Sequence, residues 1–199
     1  MNGGKWIAAV FIAGSAAMAQ PFSVGIVAGV PLTDGLSDVT QSGVDVISRT
    51  YSNSKLYIVG AMLEVRLPLG LGIEADGLYR PVNSAMDLQV VPGPVYHYSE
   101  NVATWEFPIL GKYRFKFLPI LKPFVEAGPS FRTIGSGLSW VSRKGISAGA
   151  GVEIKVLKLR IVPEIRYTHW GSDAAPTAQS GFLPPSKQDQ AEFLVGFSF

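Results

Sequence analysis

Lys55-Leu56-Tyr57-Ile58-Val59-Gly60-Ala61-Met62-Leu63-Glu64-Val65-Arg66-Leu67 changes character at every step. Every second residue gives Tyr57, Val59, Ala61, Leu63, Val65 and Leu67, all apolar, while the intervening set holds Glu64 and Arg66. Successive side chains of a strand point to opposite faces, so the stretch predicts a strand with one apolar face and one that carries charge. The same period recurs over about 22–32, 71–81, 104–117, 122–133, 144–156, 159–169 and 189–199, making eight strands in all. In the segment from Thr104, Trp105, Phe107, Ile109, Tyr113, Phe115 and Phe117 share one face, and Glu106, Lys112, Arg114 and Lys116 share the other. From Leu159, Ile161, Pro163, Ile165 and Tyr167 oppose Arg160, Glu164 and Arg166. The apolar faces are expected to be free of charge.

A soluble barrel also alternates, with its apolar side chains inside, so the size of the residues decides which face is which. The apolar set carries Trp105, Phe107, Tyr113, Phe115, Phe131, Phe193, Phe197 and Phe199, whereas the other set is rich in glycine: Gly25, Gly29, Gly60, Gly145, Gly149 and Gly151. An eight-stranded barrel barely holds its own interior side chains, so small residues opposite long charged ones fit the inside and rings fit the outside. Tyr57, Tyr79, Trp105, Phe115, Tyr167 and Phe197 suit the two aromatic girdles of a membrane barrel. The predicted fold is all-β, an eight-stranded antiparallel up-and-down transmembrane barrel.

Composition and connections agree. The chain is 47% hydrophobic with a mean hydropathy of +0.25, although it contains 22 glycines and 14 prolines. After Gln20 no apolar run reaches the roughly 18 residues of a membrane helix, so the hydropathy must reside in the alternation. The connections at 67–70, 118–121 and 156–158 are tight, those at about 33–54, 82–103 and 170–188 are long, and 134–143 is intermediate. Short periplasmic turns with long extracellular loops are the habit of outer-membrane barrels, and this pattern puts both termini in the periplasm.

Lys5, the apolar stretch Trp6–Ala13 and the small residues Ala17 and Ala19 read as an export signal cleaved before Gln20, giving a signal peptide at 1–19 and a barrel domain at 20–199. No cysteine is present, which excludes disulfides, thiolate metal sites, a cysteine nucleophile and a lipid-modified cysteine. A net charge of +2 with scattered basic residues gives no footprint for nucleic acid.

Trp105-Glu106-Phe107-Pro108-Ile109-Leu110-Gly111-Lys112-Tyr113-Arg114-Phe115 resembles a strand of the porin-like outer-membrane β-barrel family related to the OmpA and OmpX transmembrane domains, as do Pro123–Ser130 and Pro163–Tyr167. The likeness spans nearly the whole predicted mature chain. It implies an outer-membrane location in a Gram-negative cell envelope, and no cofactor. The ending, with Phe193, Val195, Phe197 and a terminal Phe199, is similar to the signal recognised by the barrel-assembly machinery. The peptidoglycan-binding role of full-length OmpA is not implied.

With the barrel oriented in this way, Glu64, Glu74, Asp76, Glu106, Glu126, Glu153, Glu164 and Glu192 face the lumen together with Arg66, Arg80, Lys112, Arg114, Lys116, Arg132, Lys155, Arg160 and Arg166. Buried charges persist when paired and hydrogen-bonded, so a cross-strand ionic network plugging the barrel is expected. The alternative use of the same residues is a narrow passive ion path. The leading reading is a non-enzymatic platform bathed in outer-membrane lipid, its loops carrying Val90, Val91, Val95, Tyr96, Tyr98, Leu138, Trp140 and Phe182 for a ligand the sequence does not identify.

Catalytic material is sparse. His169 falls on the lipid-facing set with Ser172 close behind, which raises a lipid A-modifying activity, but the spacing is poor and no carboxylate is expected beside the ring. His97 reads as a solvated loop residue without metal-binding partners. Asp34, Asp38 and Asp45 do not follow a calcium-loop pattern. Gly149 and Gly151 lack the third glycine and the following helix of a phosphate cradle.

Overall fold

The computed structural model describes residues 22–35, 38–43, 46–53, 57–115, 120–134, 142–172 and 187–199. The export signal at 1–19, Asp45, Lys116, Phe117, Leu138, Trp140 and Phe182 lie outside these. Among the described residues ten strands are present: β1 (Phe22–Pro31), β2 (Val39–Ser42), β3 (Val46–Asn53), β4 (Ile58–Arg66), β5 (Leu71–Val90), β6 (Val95–Arg114), β7 (Leu121–Ile134), β8 (Lys144–Val156), β9 (Leu159–Trp170) and β10 (Asp189–Ser198). Eight of them, β1 and β4 to β10, pair antiparallel with their neighbours, and β1 with β10 closes the cylinder. The fold is a closed eight-stranded up-and-down barrel. A row of paired residues followed from Phe22 around the wall returns to β1 at Leu32, ten positions along, and such a stagger obliges the strands to tilt.

The alternation read from the sequence sets the two surfaces. Ile26 is 63% exposed on the outside of β1, while Glu64 on the inner face of neighbouring β4 is 1% exposed. Tyr57, Tyr79 and Trp105 form a ring-to-ring series at 6.4 and 5.3 Å toward one end of the wall, and Tyr113 with Phe115 does so at 5.0 Å toward the other. The short connections need unusual backbone: Leu69 and Gly70 take φ of 64° and 88°, and Leu157 takes 59°. That reversal tightens the turn between β8 and β9 to two residues.

Three expectations are corrected. The stretches at 33–54 and 82–103 are not simply loops: β5 and β6 continue past the barrel to Val90 and Val95, and β2 and β3 add to β5, forming a four-stranded extension. There the alternation persists with mixed residues, Met86 and Leu88 against Asp87 and Gln89, which a search for wholly apolar faces passes over. Second, the outer face is not free of charge, because Lys144 and Asp189 begin their strands on the outward register. Both stand at strand ends, where an outward charge can reach water. Third, His97 belongs to β6, its Nδ1 lying 2.7 Å from Oδ1 of Asp87 across the hairpin.

Candidate functional site

The polar side chains of the lumen fall into three tiers among the described residues. The central one is built around two cations. Lys112 Nζ lies 2.5 Å from Glu74, 3.0 Å from Glu126 and 3.9 Å from Glu164, with the Phe124 ring centroid at 4.3 Å. Arg166 reaches Asp76 and Glu164 at 2.7 Å, Glu126 at 3.1 Å and Glu74 at 3.4 Å. These residues come from β5, β6, β7 and β9, so the tier ties distant parts of the wall together. Glycine makes the space: a Cβ on Gly149 would stand 2.9 Å from Glu126 Oε1. Three carboxylates, Glu74, Glu126 and Glu164, approach closely enough to hold a cation. The ammonium and guanidinium already occupy that role. Glu192 is buried in the field of Glu106, Arg166 and Arg80, without a direct ion pair among the described residues.

Toward the end from which the extension rises, Trp170 fills the mouth, fully buried, with the Arg132 guanidinium 4.2 Å above its ring. Its Nε1 donates to Gln190 Oε1 at 3.0 Å, and Arg80 Nη1 donates to the same oxygen at 2.8 Å. Arg80 also donates to the Thr33 carbonyl at 3.1 Å and lies 3.7 Å from Glu106, while Gln190 Nε2 donates to the Lys187 carbonyl at 3.2 Å. Connecting segments are thereby laced over the mouth. Arg132 Nε donates to the Ser142 carbonyl at 2.6 Å. A ladder of hydroxyls, Ser130 to Ser147 at 2.5 Å and Ser147 to Thr168 at 2.6 Å, crosses β7, β8 and β9.

Around the opposite mouth, beside the chain termini, Arg114 pairs with Glu64 at 2.6 Å and Glu153 at 2.8 Å. Arg66 reaches the same two carboxylates at 3.3 and 3.2 Å, and Lys122 and Arg160 each approach Glu153 only to 3.9 Å. Lys155 departs from the expected network: it shares the inward register but is exposed at the mouth and makes no ion pair among the described residues. The end of β8 carries it past the last carboxylate. Phe193, Val195, Phe197 and Phe199 form the outward row at the chain's end, and Ser23 Oγ donates to the Phe199 carbonyl at 3.0 Å.

Trp170, Gln190, Lys122 and the hydroxyl ladder were not singled out from the sequence. Parity alone would have found Trp170, one residue beyond the segment ending at 169, and Lys122, which opens the segment at 122 on the inward set. The ladder has no such signal, since serine and threonine sit on either face of a strand. On the outer wall His169 does have a carboxylate, contrary to expectation. Asp189 is its direct partner across β9 and β10, with Oδ1 2.7 Å from Nδ1, and the Tyr167 hydroxyl donates to the same oxygen. The segment boundaries hid this, because parity gives the face of Asp189 but not its register against His169. Ser172 makes no hydrogen bond to the ring, so among the described residues the group is a carboxylate-oriented imidazole without an attached serine nucleophile.

No family model matches the chain, and no curated protein matches it. Among solved structures it is similar to the crystal structure of the outer membrane protein OprG from Pseudomonas aeruginosa, with a TM-score of 0.57 and 12% identity over 89% of this chain and 93% of that one. At that identity the likeness establishes a shared barrel fold over almost the full length of both chains.

Proposed function

We propose that this chain is a non-enzymatic integral protein of the bacterial outer membrane, exported by the segment at 1–19, with a lumen plugged by its ionic tiers and an extracellular sheet that serves as a recognition platform. The observation that carries the reading is the inverted surface: ion pairs fill the middle, and aliphatic and aromatic side chains cover the outside. Water would penalise that outer wall, whereas acyl chains do not. Similarity to an outer membrane protein, OprG, supports the location. The closing row Phe193, Val195, Phe197 and Phe199 is the segment the barrel-assembly machinery would read during insertion.

Leu63→Arg places a charge on the outer wall and is expected to cost roughly 2 to 4 kcal/mol near the bilayer midplane, read by urea titration in lipid vesicles. An unchanged folding free energy would remove the membrane from the proposal. Planar-bilayer recording separates the plug from the passive-channel alternative. Pure protein is expected to give no steady conductance, and reproducible unit steps would favour the channel. The His169–Asp189 pair is the feature that favours a lipid-modifying enzyme. Mass spectra of lipid A from cells with and without the protein are expected to coincide, and a changed acyl pattern would establish that activity instead.

A further inference from the structure

The lumen's charges are unbalanced in opposite senses at different depths. In the centre, Lys112 and Arg166 face four carboxylates, Glu74, Asp76, Glu126 and Glu164. At the mouth beside Phe22 and Phe199, Arg66, Arg114, Lys122, Lys155 and Arg160 face only Glu64 and Glu153 among the described residues. A carboxylate at the end of the chain would still leave an excess of two positive charges.

Glu153 cannot serve them all. Its Oε2 accepts from Arg114 Nε at 2.8 Å and from Arg66 Nη2 at 3.2 Å, while its Oε1 has Lys122 and Arg160 only at 3.9 Å, beyond hydrogen-bond reach. The Nε groups of both Arg66 and Arg160 are buried without an acceptor among the described residues, and Glu153 Oε1 between them is likewise without a donor. A buried donor left in that state needs a partner. Lys155 is the direct cross-strand neighbour of Arg160, and like charges so placed repel unless an anion lies between them.

We propose that this mouth, periplasmic in the orientation proposed above, binds a phosphate oxyanion between Arg66 and Arg160, with Lys155 at the rim. The two guanidinium groups converge on one carboxylate, and their planar forks match the edges of a tetrahedral oxyanion. A dianion neutralises the excess better than a carboxylate does. Arg66 and Lys122 keep 21% and 31% side-chain exposure at this mouth, unlike the buried cations of the centre, so such a ligand can enter and leave. Free phosphate and the phosphate of a lipid headgroup share this chemistry.

Equilibrium dialysis of inorganic phosphate against the full chain folded in a neutral detergent, at constant ionic strength, tests the site. One saturable phosphate per barrel is expected, weakened about tenfold in Arg66→Gln and in Arg160→Gln, the loss of a charged hydrogen bond. Lys155→Gln breaks no ion pair, so it keeps the test informative should either arginine variant fail to show the heat-dependent gel shift of a folded barrel. It is expected to weaken binding by a smaller factor. Competition by phosphatidylglycerol vesicles, but not by phosphatidylcholine vesicles, assigns the site to a headgroup; equal and negligible competition assigns it to free phosphate. Absence of saturation, or saturation unchanged in all the folded variants, overturns the proposal.

Discussion

Arg166 and Arg160 stand on the same inward face of the same strand, yet their surroundings have little in common. Arg166 is 1% exposed and touches four carboxylates at 2.7 to 3.4 Å, whereas Arg160 is 12% exposed and reaches one carboxylate at 3.9 Å. Depth in the cylinder makes the difference. In the centre the charges are buried, and the carboxylates of β5, β7 and β9 close on one guanidinium. At the mouth solvent answers part of the charge, and the wall tolerates an excess of cations. Identical side chains should therefore carry unequal weight, which the following substitutions test in decreasing order of effect.

Arg166→Leu leaves Asp76, Glu126 and Glu164 facing one another around Lys112 alone. Removing one member of a buried ionic group costs about 3 to 5 kcal/mol because the remaining charges stay desolvated. Urea unfolding in phosphatidylcholine vesicles would measure the loss. A cost below about 1 kcal/mol, the range of exposed pairs, would mean that water already screens the centre and would abolish the contrast with the mouth.

Gly149→Ala sharpens the same point with a single methyl group. The new Cβ would stand 2.9 Å from Glu126 Oε1 and 3.2 Å from the Ile165 carbonyl, so Glu126 must leave the position from which it contacts both Arg166 and Lys112. Overpacking of this kind costs about 1 to 3 kcal/mol. Gly111→Ala is its counterpart on the outer wall, where the nearest atom to a Cβ, the Ala127 carbonyl oxygen, is 3.6 Å away. That change is expected to stay within about 0.5 kcal/mol, the usual range for a surface position. Equal losses at the two glycines would show that the interior is no tighter than the wall.

The barrel was legible because a period of two is a local signal, repeated over strands as different as Phe22–Pro31 and Asp189–Ser198. Face follows from parity alone, so Glu64, Glu74, Lys112 and Arg166 could be placed inside one residue at a time. Register is another matter. Whether Arg166 meets Asp76 or Glu106 depends on a stagger accumulated around the wall, and no single segment records it. The same gap hid the Asp189 partner of His169. The extension of β5 and β6 was illegible for a different reason: beyond the apolar belt neither face is uniformly apolar, so Asn83 to Val90 lose the pure alternation while keeping the strand conformation.

Arg160→Gln completes the comparison from the weak side. The substitution gives up a 3.3 Å hydrogen bond from Nη1 to Ser23 Oγ and a distant approach to Glu153. It also relieves the repulsion of Lys155, directly opposite across β8 and β9. These effects oppose one another, and the net change in phosphate-free buffer should remain within about 1 kcal/mol, as for pairs open to solvent. Adding phosphate should raise the stability of the native sequence more than that of the variant, because a ligand that binds only the folded state stabilises it by the logarithm of its concentration over its dissociation constant. A large loss in phosphate-free buffer would instead show that Arg160 is as tightly built into the protein as Arg166, and the division between a self-sufficient centre and an unsatisfied mouth would fail.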